Sequence, residues 1–349
     1  MKILSIFKSK KIQPFKPYII AEAGVNHECS MKKAYMLIKK AKEGGAHAIK
    51  FQTYKADELA SKFSPSYWDL KKEKIKNQNQ LFKKYDKFDE DHYIKLKKYC
   101  DKIGIEFLST PFDFNSAKFL SKLVKCFKIS SSDITNKPFI KYLCKFKKPI
   151  ILSTGASSIS EIKRAIKWIE QEKVKVAILH CILNYPTKDI DANLRMISSL
   201  AYNFPNNIIG YSDHTLPKDM FNLLVSTLLG AKIIEKHFTL DKKLKGNDHY
   251  HSMDKKDLIK FNSNLKRLNY IAGHIGQKKI LPSEKISRKN ARRSIVINKS
   301  LNKGIKIKLS DISFKRPGTG IPPYMLAKVV NKKLKKNILK DQLLTFKYI

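Results

Sequence analysis

The sequence predicts an α/β fold, a (β/α)8 TIM barrel followed by a small mostly-β domain. Three observations carry that expectation. Eight short apolar runs, rich in Ile, Val and Phe, recur through the first 240 residues. Between most of them apolar residues fall three and four apart, the period of an amphipathic helix. From about residue 294 the pattern changes to short alternating runs broken by Gly and Pro. Nearly continuous apolar strands are buried on both faces, as in a parallel barrel wrapped by helices. An open doubly wound sheet would carry a GxGxxG after its first strand, and this chain has none.

In chain order the eight runs are 18–21, 48–51, 105–108, 127–129, 150–152, 176–179, 208–211 and 233–236. Helical periodicity fills 31–44, 91–103, 158–171, 217–229 and, after the eighth run, 255–271. Residues 54–90 break the rhythm with the polar stretch KKEKIKNQNQLFKKYDKFDED. A long insertion at this end of a barrel is either a lid or a surface excursion. The barrel domain is expected over 1–275, with a basic linker over 276–293 and the small domain over 294–349. A domain of about 55 residues is small to stand alone and is expected to dock on a barrel.

At 349 residues the chain exceeds what one core usually fills, and 42% hydrophobic residues exclude disorder. No run of about eighteen apolar residues is present, so no membrane is expected as a partner. Five dispersed cysteines without a CxxC pair fit free thiols in a reducing, cytoplasmic compartment. The net charge of +41 invites a nucleic-acid reading. Only seven of the 71 basic residues are Arg, however, and the Lys are spread along the whole chain. A solvated lysine surface explains them, and no nucleic acid is expected as a partner.

Catalytic groups of such a barrel come from the C-terminal ends of its strands. Those ends are polar here: Glu22, Lys50 and Gln52, Thr110, Lys128, Ser131 and Asp133, Ser153, Tyr185, Ser212 to His214, and Glu235 to His237. Lys50 and Lys128 stand inside apolar runs, where a charge needs an anionic partner. With Ser and Thr at neighbouring ends, they point to an anionic substrate, a phosphate or a carboxylate. His214 and His237 close adjacent strands, about 4.8 Å apart, so that both imidazoles reach one divalent metal. The alternative is two hydrogen-bonded core histidines. The segment Asp248-His249-Tyr250-His251, just past the eighth strand, is a candidate for further polar contacts.

The segments IIAEAGVNH, AIKFQTYKA, GIEFLSTPFD, FKISSSDITN, PIILSTGAS, GYSDHT and IIEKHFTLD, in this order, resemble the sialic acid synthase family. These enzymes make N-acetylneuraminate, legionaminate or pseudaminate. The tail RRSIVINKSLNKGIKIKLSDISFKRPGTGI resembles that family's antifreeze-like (SAF) domain. The resemblance implies condensation of phosphoenolpyruvate with the open-chain aldehyde of an N-acylated amino sugar, releasing phosphate. It also implies a divalent metal on His214 and His237, manganese foremost, with magnesium or cobalt as alternatives. Lys50, Thr110, Lys128, Ser131, Ser153 and Ser212 would cradle phosphoenolpyruvate. Glu22 would meet the sugar, with Gln52, Asp133, Tyr185 and Asp248 lining the same side. Arg316 would reach the barrel of a partner subunit in a domain-exchanged homodimer.

Two departures fall on the sugar side. Ile182-Leu183 replaces the family's Thr-Asn or Thr-Thr, and Gly246-Asn247-Asp248 replaces Gly-Pro-Asp. Tyr250 and His251 then follow in place of small or cationic residues. Two alternatives remain open from the residues. One is another phosphoenolpyruvate-dependent 3-deoxy sugar acid synthase, and the other a non-catalytic basic binding protein.

Overall fold

The computed structural model describes residues 2–8, 15–246, 248–273 and 276–349. Asn247, in one of the two departures, lies outside the described residues. The chain divides into two compact units, Met1–Gly273 and His274–Ile349.

The first unit is a TIM-like barrel of eight parallel strands. These are β1 (Tyr18–Gly24), β2 (Ala48–Thr53), β3 (Glu106–Pro111), β4 (Phe127–Ile129), β5 (Ile150–Ser153), β6 (Val176–Cys181), β7 (Ile208–Asp213) and β8 (Ile233–His237). Their order, β3-β2-β1-β8-β7-β6-β5-β4, closes the sheet except between β3 and β4, which are neighbours without a hydrogen-bonded ladder. All eight expected strands are present. Seven run one to three residues further than their apolar runs, because the polar residues at their ends stay on the ladder.

Alternation along each strand divides the side chains into two sets. Ile19, Ile49, Phe107, Leu152, Ile178 and Ile234 pack with the surrounding helices in the large core. Ile20, Ala48, Leu108, Ile151, Leu179 and Ile233 fill the barrel interior, joined by Ile3, Ile6 and Phe7 of the short helix Ile3–Lys8. That helix closes the N-terminal end of the barrel. The Ile3 amide and the Tyr18 hydroxyl both donate to Glu106 Oε2, at 2.8 and 2.6 Å.

Helix Met31–Gly44 has the expected bounds, set by the Ser30 cap on the Lys33 amide and by Gly45 in the left-handed region. The helix expected from residue 217 begins later, at Phe221, because Lys218 and Met220 both take positive φ. The 54–90 segment is folded rather than a loose excursion. It holds helices Ala56–Leu59 and Gln78–Tyr85 and buries Trp68 and Leu81. The Asn79 amide donates to the Ala56 and Ala60 carbonyls, and Trp68 Nε1 to Ile75 O.

In the second unit β9 (Ser294–Ile297) pairs antiparallel with β10 (Ile312–Lys315). Isolated bridges such as Val296 to Leu343 and Leu301 to Ile338 complete it, around a core that includes Ile295, Ile307, Val329 and Leu344. Fewer strands form than the alternation suggests, since Gly and Pro leave single bridges where ladders were expected. The stretch 276–293 is exposed and carries the helix Lys285–Ala291.

Candidate active site

Each strand turns one polar side chain into the barrel just above the apolar interior: Glu22, Lys50, Thr110, Lys128, Ser153, Ser212 and Glu235, with Cys181 from β6. All are buried. Lys50 Nζ lies 2.6 Å from Glu22 Oε2 and donates to Thr110 Oγ1 at 2.9 Å. Lys128 Nζ donates to Ser153 Oγ at 2.7 Å. The two lysines meet at one carboxylate, with Glu235 3.7 Å from Lys50 and 3.6 Å from Lys128. Ser212 Oγ donates to the same group at 3.0 Å.

Burial pushes the Glu22 carboxyl up to about 7, helped by the Glu235 charge and opposed by Lys50. Burial holds Lys128 below its ordinary value, although Glu235 pulls the other way. Glu235 itself stays below the usual carboxylate range, because Lys128 and Lys50 outweigh its burial.

One inward position further along the strands stand Gln52, whose amide donates to Glu22 Oε1 at 3.2 Å, and His237. Between Glu22 and Gly24 the β1–β2 register slips. Gly24 sits there at φ +52, and a Cβ would lie 3.4 Å from Gln52 Nε2 and 3.7 Å from His237 Nδ1. The positive φ is what favours glycine there, since a Cβ at those distances would make only ordinary van der Waals contacts.

Over this level opens a pocket lined by Asn26, Gln52, Tyr185, His237 and Asp248, and by Tyr54, Tyr67, Trp68, Phe82 and Tyr85 of the insertion. The insertion is therefore one wall of the pocket. The sequence did not single out these aromatic residues, which follow no helical or strand period.

Of the residues expected at the site, Ser131 accepts from the Gly155 amide at 2.9 Å, and Asp133 accepts from Asn136 at 3.1 Å. The Tyr185 ring lies tilted against His214, with ring centroids 4.1 Å apart. Arg316 belongs to the second unit and is exposed. Ile182 of the first departure offers its carbonyl to His214 Nδ1 at 2.7 Å, and Leu183 is exposed. Glu235, named at the sequence level only as a polar strand end, proves to be the hub of the lysine layer. Cys181 had no sequence signal except its place on the inward face.

His214 and His237 have ring centroids 5.5 Å apart. His214 Nδ1 is engaged by a backbone carbonyl, which leaves Nε2 for a metal, the usual arrangement of a ligating imidazole. His237 Nδ1 is buried without a hydrogen-bond partner among the described residues, and Asp248 Oδ2 lies 3.7 Å away. His237, Asp248 and His251 each offer a ligand atom within 4.8 Å of the others. Burial, with His251 and His214 nearby, holds the His237 imidazole well below its ordinary value, so that it is neutral and free to ligate. These donors fit a divalent ion.

Residues 37–277 match the NeuB family and residues 292–349 the SAF domain. The chain is 38% identical over 359 residues to the N,N'-diacetyllegionaminic acid synthase of Legionella pneumophila, covering 98% of this chain and 99% of that one. It is 36% identical to the enzyme of the same name from Campylobacter jejuni, covering 94% and 99%. The crystal structure of the N-acetylneuraminic acid synthetase of Leptospira borgpetersenii superposes with a TM-score of 0.68 at 34% identity, over 80% of this chain and 93% of that one. The chain belongs to the NeuB family and carries a C-terminal SAF domain.

Proposed function

We propose that this chain is a nonulosonic acid synthase. It condenses phosphoenolpyruvate with the open-chain aldehyde of an N-acylated hexosamine, either N-acetylmannosamine or a 2,4-diacetamido-trideoxyhexose. The observation that carries this reading is the convergence of Lys50 and Lys128 around the buried Glu235 carboxylate, ringed by Thr110, Ser153 and Ser212. Two cations and several hydroxyls at the centre of a barrel make a cradle for a small multivalent anion. The names of the relatives support the product class.

In the reaction C3 of the enolpyruvate bonds to the aldehyde carbon and the aldehyde oxygen takes up a proton. Water adds at C2, and the C2–O bond breaks to release phosphate. Lys50 and Lys128 hold the phosphate and carboxylate while charge moves through C2. Glu22 handles the proton of the attacking water or the hydroxyls of the sugar, and a carboxyl held near 7 suits proton transfer at neutral pH. Gln52, Asp133, Tyr185 and Asp248 orient the sugar. A divalent metal on His214 and His237, manganese or alternatively magnesium or cobalt, supplies Lewis-acid polarisation of the aldehyde oxygen when bound. Arg316 reaches the sugar of a partner subunit in a domain-exchanged homodimer; its exposure leaves it available for that role.

The test incubates the full chain with phosphoenolpyruvate, manganese and a panel of 2-acetamido and 2,4-diacetamido hexoses. Phosphate release and a nonulosonic acid mass are expected with at least one sugar. A folded, metal-loaded protein that releases no phosphate with any of them would refute the proposal.

A further inference from the structure

We propose that His251 is itself a ligand of the divalent metal, a third imidazole beside His214 and His237. His251 is 0% exposed and lies two residues before Met253. The bridge between Phe238 and Met253 folds this segment back over the end of β8: the Met253 amide donates to His237 O at 2.8 Å, and the Thr239 amide to Met253 O at 2.9 Å. The fold-back brings the His251 ring to 5.0 Å from that of His237, centroid to centroid.

The ligand atoms of His237, Asp248 and His251 lie within 4.8 Å of one another. Donors bound at about 2.0–2.2 Å to one ion stand roughly 3–4 Å apart, so closure by about an ångström completes the set. His237 Nδ1, buried and without a hydrogen-bond partner among the described residues, lies on the side of this cluster, 3.7 Å from Asp248. The rings are held from outside. Tyr250 packs on His251 at 5.1 Å, and its hydroxyl donates to Tyr185 O at 2.9 Å. Tyr185 in turn packs against His214.

Three imidazoles and a carboxylate form a nitrogen-rich set, which favours later first-row ions such as cobalt over manganese. The inference rests on the synthase reading for the use of the ion, but its test reads metal binding alone, so the two fail separately.

The full chain is stripped with a chelator and titrated with Co2+, following visible absorption, stoichiometry and X-ray absorption fine structure. One Co2+ per chain with three imidazoles is expected. The substitutions His251→Phe and His251→Asn should weaken Co2+ binding tenfold or more and remove one imidazole from the fit. Two imidazoles in the unaltered protein, or Co2+ affinity unchanged within about twofold in a folded variant, would overturn the assignment. If neither variant folds, the imidazole count of the unaltered protein decides. Three imidazoles without phosphate release on any sugar would leave the ligand standing and sink the synthase reading.

Discussion

Asp213 and Lys236 are register partners on β7 and β8 and form a 2.6 Å ion pair closed to solvent. Lys236 Nζ also donates to Thr215 O at 2.6 Å, while Asp213 accepts from the Tyr211 hydroxyl and the Thr215 amide, each at 2.9 Å. Each partner directly precedes a candidate metal histidine, so the pair ties together the two strand ends that present them. Removing one partner leaves the other charged and buried. Lys236→Met should cost about 3–5 kcal/mol in denaturant unfolding. The double substitution Asp213→Leu with Lys236→Met should recover much of that loss, and an unchanged midpoint for Lys236→Met would dismiss the pair as a clamp.

Glu22 ties stability to pH. Its carboxyl rises from an ordinary 4.5 to about 7 on folding, chiefly through burial. The folded state therefore binds the proton more tightly than the unfolded one. The stability this group contributes is complete below 4.5 and is lost as pH rises through 7. Glu22→Gln should flatten that fall, measured by unfolding free energy across the window. It should also remove a limb near pH 7 from kcat/KM; a profile identical to the parent's would exclude Glu22 from proton transfer.

Lys128→Met should lower kcat/KM for the anionic substrate about 10²–10³-fold, the usual scale for losing one preorganised charge partner. Arg is not a substitute, because the ammonium fits between Ser153 Oγ and Ile129 O as a compact donor. The steady-state constants of both substrates, with circular dichroism to check folding, separate this from a general defect. A fall confined to the sugar's KM would contradict the assignment.

Trp68 tests the wall built by the insertion. Trp68→Ala should raise KM for the sugar about tenfold and leave KM for the anion within about twofold. Equal effects on both substrates would mean that the insertion acts on the whole site rather than on its upper chamber.

The strands were legible because both their faces are buried, which writes β-rich apolar runs into the chain. Lys50 and Lys128 were legible as charges interrupting such runs. Cys181 required the alternation of the finished strands, since nothing local distinguishes an inward residue from an outward one. His180, on the same strand, faces outward and bonds the Ala192 carbonyl instead. The insertion hid its role because single aromatic residues at irregular spacing bury just as well as periodic ones. The grouping of His251 with His237 depends on the Phe238–Met253 bridge, a tertiary event without a local signature.

Among the described residues Ile3, Ile6 and Phe7 fill the barrel from below, so the proposed ligands enter from the end that carries the aromatic chamber. The lysine layer lies beneath Gln52 and His237, and the aromatic chamber stands above both. Whatever occupies the chamber seals whatever rests on the lysines. The proposed function therefore predicts a compulsory order, with the small anion first and the sugar second. In initial-rate kinetics a dead-end analogue of the sugar is then uncompetitive against the anion.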